Sequence, residues 1–367
     1  MSNPYSSLEA RAFWSPAVGK RSLFDISDLW KAPFAIDRRS RIATFGSCFA
    51  QHFSRALVAR GFTWLDAEPA PEGLSAEHAK AYNYGVFTAR TANIYTTSLL
   101  RQWTEWALGH AEDPKIFWED EAGRIYDPFR PVIEPGGFAS PEEMFAARAR
   151  CIEAFRTAIM ESDIFVFTLG LTESWFDAEG GWEYPMCPGT AAGSFDAEKH
   201  VFRNQDYEFV RKNLMQAIRM MRAARKGGPR FLLTVSPVPL TATNSGNHVL
   251  VATMESKSIL RAVAGNVAGA LTNVSYFPSY EIINSPAYRG SFFEPNMRSV
   301  NPHGVDHVMK TFFAGLPEAV RKAAAAPAAQ PGPRKGAKGG KGRAGAATSA
   351  DDTVCEEELL AAFGSGD

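Results

Sequence analysis

Ser47 and Cys48 put a hydroxyl and a thiol side by side in Arg41-Ile42-Ala43-Thr44-Phe45-Gly46-Ser47-Cys48-Phe49-Ala50, where a short apolar run gives way to helical periodicity. A hydroxyl becomes a nucleophile only when a base takes its proton; a thiol does so when its surroundings favour thiolate, as a helix N-terminus can. Three other segments fall at strand ends or in the loops after them: Tyr84-Gly85, Gly170-Leu171-Thr172-Glu173 and the stretch before Asn301-Pro302. Strand ends of an α/β sheet are where ligands and oxyanions bind. His303 and His307 lie one helical turn apart, opposite an apolar stripe, as either a base or a pair of solvated surface residues would. Their spacing also suits a metal, but the glutamate of His-Glu-x-x-His is missing and no second cluster completes a coordination sphere, so no metal is expected.

Other chemistry-bearing residues have competing explanations. Glu173 and Glu281 could orient an imidazole or pair with Arg298, and His52 on the first helix is expected to be partly exposed. Ser256-Lys257 looks like a Ser-Lys pair but precedes a helix expected from Ser258, which favours a structural role. Trp175, Trp182 and Tyr184 could stack on sugar rings or pack beneath a loop.

The elements that must position these residues alternate between strand and helix. The spacing of Phe49, Phe53, Ala56 and Leu57 predicts a helix stopped by Gly61, and Phe62–Leu65 reads as a second strand. A helix through Leu99, Trp103 and Trp106 follows, then a hairpin over Phe117–Tyr126, taken as an insertion over the site. Ser140-Pro141-Glu142-Glu143 is a helix start with serine cap, proline and returning glutamate. Ile164–Leu169, Phe231–Ser236 and Val274–Phe277 read as further strands, separated by helices over 207–225 and 258–271, and residues 174–204 as an irregular excursion. Asn301-Pro302 starts the last helix. The pattern predicts an α/β fold with a parallel sheet.

Residues 1–39 are too aromatic for a loose arm and are expected to pack on the domain at 40–322; residues 323–367 change to Ala, Pro, Gly and Lys without apolar period, which predicts a disordered tail. Its end, Cys355-Glu356-Glu357-Glu358-Leu359-Leu360-Ala361-Ala362-Phe363, is suited to a short amphipathic helix that meets a protein partner or the basic linker. The 367 residues carry a formal net charge of -1, so no global field argues for nucleic acid or membrane. The four cysteines form neither C-x-x-C pairs nor a disulfide framework, the N-terminus has no charged-then-apolar leader and no apolar run could span a bilayer, so a cytoplasmic location is expected.

Gly46-Ser47-Cys48-Phe49-Ala50 resembles the signature after which the GSCFA family is named, and that family is similar to the SGNH (GDSL-like) hydrolases. The resemblance runs from about Ser40 to about Leu316. It implies a three-layer, SGNH/flavodoxin-like sandwich with a five-stranded parallel sheet in the order 2-1-3-4-5, carrying loop and hairpin insertions. It also implies a serine esterase or O-acyltransferase acting on a small acyl ester, with an O-acetylated glycan as one such substrate and no cofactor. Ser47 then matches the nucleophile and Gly85 the glycine oxyanion donor; Thr172 stands where the family has asparagine, with Asn93 as an alternative donor. The Asp-x-x-His of the family falls on Asn296 and Ser299, which cannot serve as base, so His303 or His307 would have to replace the lost imidazole. If neither does, the same scaffold would be a non-catalytic glycan- or protein-binding module.

Overall fold

In the computed structural model, which describes residues 3–318, 320, 321, 353 and 355–364, the chain follows the expected alternation. It passes through β1 (Ile42–Gly46), α1 (Phe49–Ala59), α2 (Ala76–Ala81), α3 (Thr97–Ala107), the short hairpin β2 (Trp118–Glu119) and β3 (Ile125–Tyr126), α4 (Pro141–Glu161) and β4 (Ile164–Leu169). Next come β5 (Glu173–Asp177), β6 (Glu183–Tyr184), β7 (His200–Asn204), α5 (Tyr207–Ala224), β8 (Arg230–Val235), α6 (Val249–Ala270), β9 (Val274–Tyr276), α7 (Ser279–Asn284) and α8 (Pro302–Ala314). A 3₁₀ helix covers Glu356–Phe363.

β1, β4, β8 and β9 form one parallel sheet in that order. Alternation along each strand sends Phe45, Phe165, Phe167 and Leu233 to one face, where Trp103 of α3, Phe155 of α4, Leu214 of α5 and Leu260 of α6 cover them. Ile42, Ile164, Val166 and Leu232 meet Phe53 of α1, Ile282 of α7 and Phe312 of α8 on the other. With both faces covered, the strands can be apolar throughout, which is why they show no polar alternation. From the N-terminal segment, Trp30 stacks on Phe312 at 5.3 Å. None of the described helices is long and apolar enough to cross a membrane.

The sheet has four strands, not five. The strand expected at Phe62–Leu65 is reduced to a single parallel bridge between Ile42 and Trp64. Side chains take over where a ladder would continue: the Thr44 N–H donates to Thr88 Oγ1 at 2.9 Å and Trp64 Nε1 to Thr44 Oγ1 at 3.0 Å. Pro69 and Pro71 follow, and proline has no N–H for a ladder.

Residues 174–204 are more regular than expected, since they contribute to an antiparallel sheet in the order β6-β5-β7. Trp175 stands opposite both Tyr184 and Phe202, so its ring is used in cross-strand packing, with Phe202 at 5.4 Å. The hairpin β2/β3 lies against this sheet, with Trp118 at 5.7 Å from Tyr184. α6 begins at Val249 rather than Ser258, which places Ser256 and Lys257 inside a helix. A buried ionic group joins the segment after β3 to α4: Asp127 accepts from Arg130 Nε and from Arg148 Nη2, each at 2.8 Å.

Candidate active site

Gly46 has φ of +125°, and a Cβ there would lie 2.2 Å from the carbonyl oxygen of Thr168. Only glycine lets the end of β1 pass so close to β4. The Ser47 N–H then donates to that carbonyl at 3.0 Å, while the Ser47 carbonyl accepts from Ala50 to open α1. Ser47 is buried, and its Oγ has no hydrogen-bond partner among the described residues. An unpaired buried hydroxyl costs about 1–3 kcal/mol. Stability therefore does not explain it.

The next strand end closes over Ser47 from the side. A Cβ on Gly170 would lie 3.2 Å from the Ser47 Cβ and 3.0 Å from the Tyr95 ring, so only a glycine leaves room between the two side chains. Lys257 of α6 donates from Nζ to the Gly170 carbonyl at 2.7 Å. Burial brings its ammonium down to about 8, against the opposing pull of Glu357. A lysine near that value is part neutral at physiological pH and can accept a proton.

An anion site lies beside these groups. The Ile94 N–H bonds to the Gly46 carbonyl at 2.9 Å and fastens the preceding loop to β1. Gln51 Nε2 donates to Asn93 Oδ1 at 3.3 Å, which turns the Asn93 amide so that Nδ2 faces the crevice. There the Asn93 N–H donates to Glu356 Oε1 at 3.4 Å, Asn93 Nδ2 to Glu356 Oε2, and Tyr95 Oη to the same oxygen at 3.0 Å. Glu357 accepts from the Thr241 N–H at 2.6 Å and pairs with Arg298 Nη2 at 3.5 Å; Glu358 pairs with Arg298 Nη1 at 3.2 Å. Burial raises the carboxyls of both Glu356 and Glu357.

Cys48, the rival nucleophile, is buried and points at the same segment. A hydrogen bond with Cys355, then burial, push its thiol well above the usual range, so it stays protonated despite the helix N-terminus.

The residues singled out from sequence are dispersed differently than expected. Asn93 binds Glu356 through its N–H and its side-chain amide. Gly85 is exposed in a turn at φ +71°. The Thr172 hydroxyl donates to Asn204 Oδ1 at 2.7 Å, and Glu173 accepts from the Asn244 N–H at 3.0 Å and from the Thr243 hydroxyl, fixing the loop after β8. His303 is exposed on the first turn of α8. His307 stacks on Phe292 at 5.0 Å, near Tyr288 at 5.6 Å, and burial lowers its pKa. Asn296 Nδ2 donates to Ser299 Oγ at 3.0 Å, and it is Arg298 between them that reaches the crevice. Glu281 binds Arg261 and the Tyr276 hydroxyl, not Arg298. His52 is partly exposed on α1, as expected, and burial followed by the neighbouring Arg55 pushes it down to about 4.

Lys257, Tyr95, Gln51 and Arg298 stand at this candidate site, where sequence reasoning did not place them. A signal for Lys257 existed: Thr253, Ser256, Lys257, Leu260, Val263, Ala264 and Val267 share the buried stripe of α6, so the lysine stands on a core face. Among the described residues no three His, Cys, Asp or Glu side chains gather as a metal site requires. A cavity of about 510 Å³ adjoins Tyr95 and is walled by Leu171, Trp175, Met186, Phe195 and Leu240. It is large enough for a short acyl chain or one sugar ring.

A family model described as the GSCFA family matches residues 41–312. No curated protein and no solved structure matches the chain.

Proposed function

The chain belongs to the GSCFA family, and from that premise we propose that it is a serine esterase or O-acyltransferase of the SGNH type. Ser47 Oγ attacks the acyl carbon of a small ester, Lys257 takes the hydroxyl proton and returns it to the departing alkoxide, and an acyl-serine forms. Water or an acceptor hydroxyl then releases the acyl group. The Asn93 N–H and Nδ2–H stabilise the oxyanion, a role commonly worth about 3 kcal/mol per donor. Lys257 serves better as base than His303 or His307, because it bonds to Gly170 at the strand end next to Ser47 while one imidazole is exposed and the other lies against aromatic rings. The cavity beside Tyr95 takes the acyl group or the sugar of an O-acetylated glycan. Free thiols at all four cysteines support a reducing, cytoplasmic setting.

The observation that carries this reading is a buried hydroxyl with no partner among the described residues, on a strand end that Ile94 fastens to the loop whose Asn93 holds a carboxyl group. It is tested by fluorophosphonate labelling and p-nitrophenyl acetate turnover in the full chain, in a chain carrying E356K/E357K, and in each with Ser47→Ala. Labelling abolished by Ser47→Ala, with turnover down about 10⁴-fold, is expected. Labelling that survives Ser47→Ala, or none in either parent chain, would overturn it. A second reading, a glycan- or protein-binding module without catalysis, is favoured by the Asn296–Ser299 hydrogen bond where the resemblance calls for an acid and a base.

A further inference from the structure

Glutamate is almost never fully buried unless paired. Here two consecutive ones, Glu356 and Glu357, are only 5% and 7% exposed. Each oxygen that makes a bond is met by a group of the domain: Asn93 and Tyr95 for Glu356, the Thr241 N–H and Arg298 for Glu357. Upstream, Arg55 Nη1 donates to Thr353 Oγ1 at 3.3 Å. Downstream, Leu360 and Phe363 join the wall of the apolar cavity. A lone 3₁₀ helix of this length has little stability of its own in water. Its order comes from the surface beneath it.

We infer that the crevice at Ser47 is a binding site for a peptide of two acidic residues followed by apolar ones, and that the chain's own Cys355–Phe363 fills it as a displaceable occupant in competition with the acyl substrate. The competition half rests on the acyl-transfer reading; the peptide-binding half does not. Glu356 sits on the donors that an oxyanion would use, and Leu360 lies where an acyl chain would, so substrate and segment exclude one another. The raised carboxyls of both glutamates mean that docking works against burial of charge, which keeps the segment exchangeable. Tethering supplies a local concentration in the millimolar range, so a modest intrinsic affinity suffices.

The test uses the full chain carrying E356K/E357K, which places one ammonium group against the Asn93 and Tyr95 donors and another opposite Arg298, and a fluorescein-labelled peptide of residues 353–364 read by anisotropy. The substituted chain is expected to bind the peptide at least about tenfold more tightly than the unsubstituted chain, whose own segment competes. A peptide carrying the same two lysines is expected not to bind. Adding R298E to the substituted chain should weaken binding of the native peptide about tenfold, and a peptide with E357R/E358R should recover part of the loss. No binding, or equal binding of native and lysine peptides, would overturn the inference. Fluorophosphonate labelling of Ser47 should be at least about tenfold faster in the substituted chain and slowed by added native peptide; labelling indifferent to the peptide would overturn the competition. Peptide binding without labelling in any chain removes the acyl reading and leaves the peptide site standing.

Discussion

Asp127, Arg130 and Arg148 are as deeply buried as Lys257, Glu356 and Glu357, yet the carboxyl of Asp127 and those of the two glutamates are shifted in opposite directions. Asp127 accepts from both guanidinium groups and from the Phe129 N–H, and Arg148 goes on to the carbonyls of Pro114 and Ile116. Burial alone would raise its carboxyl, but the two arginines outweigh it and hold Asp127 below the usual range. At the crevice burial prevails: both glutamates are raised and Lys257 is lowered, each toward its neutral form. A charge group whose partners are always present is driven further into ionisation and acts as scaffold. One whose partners are mostly neutral donors is shifted toward its neutral form, where protons can move.

The contrast breaks most sharply at Asp127. Asp127→Ala leaves two guanidiniums buried without their carboxylate and is expected to cost about 3–5 kcal/mol in denaturant unfolding. A cost below about 1 kcal/mol would erase the distinction.

Lys257→Met should instead slow Ser47 labelling by about 10²-fold, a general-base effect equal to about 3 kcal/mol of barrier. In the unsubstituted protein the neutral amine is the active form, so labelling should rise with pH through a midpoint near 8 and then level. An imidazole base would place the midpoint below 7, since His307 is lowered from its ordinary value. Stability follows the same group: a lysine depressed in the folded state contributes fully above the free value of about 10.4 and loses that contribution as pH falls through about 8. The smallest effect belongs to Ser140→Ala, which removes the cap of α4 far from both charge groups. It should cost about 1 kcal/mol and leave labelling unchanged.

Sequence pattern carried the parts of this molecule that local chemistry decides. The Ser140 cap, the Asn301-Pro302 start of α8 and the continuous apolar runs of β4 and β8 each need only a few neighbouring residues to be recognised. The turn at Ser47 between strand and helix was legible because Gly46 and the helical period of α1 frame it on both sides. What was missed depends on distant partners. Trp64 fails to extend the sheet because Thr88 captures the Thr44 N–H, and Lys257 is brought to the end of β4 only through the carbonyl of Gly170. The segment at Glu356 has an amphipathic pattern, but its place on Asn93 spans too much chain for periodicity to reveal. Composition marked residues 323–350 as linker-like, and they lie outside the described residues.

The single bridge at Trp64 has a consequence for behaviour at high concentration. An open outer strand offers a row of free donors and acceptors on which another copy can add itself. Along β1 that row is already taken: Ile42 by Thr63 and Leu65, Thr44 by a threonine hydroxyl, Gly46 by Ile94. Fibre-like stacking through this side of the molecule is blocked by irregular chain, with no proline or charge needed in the strand itself.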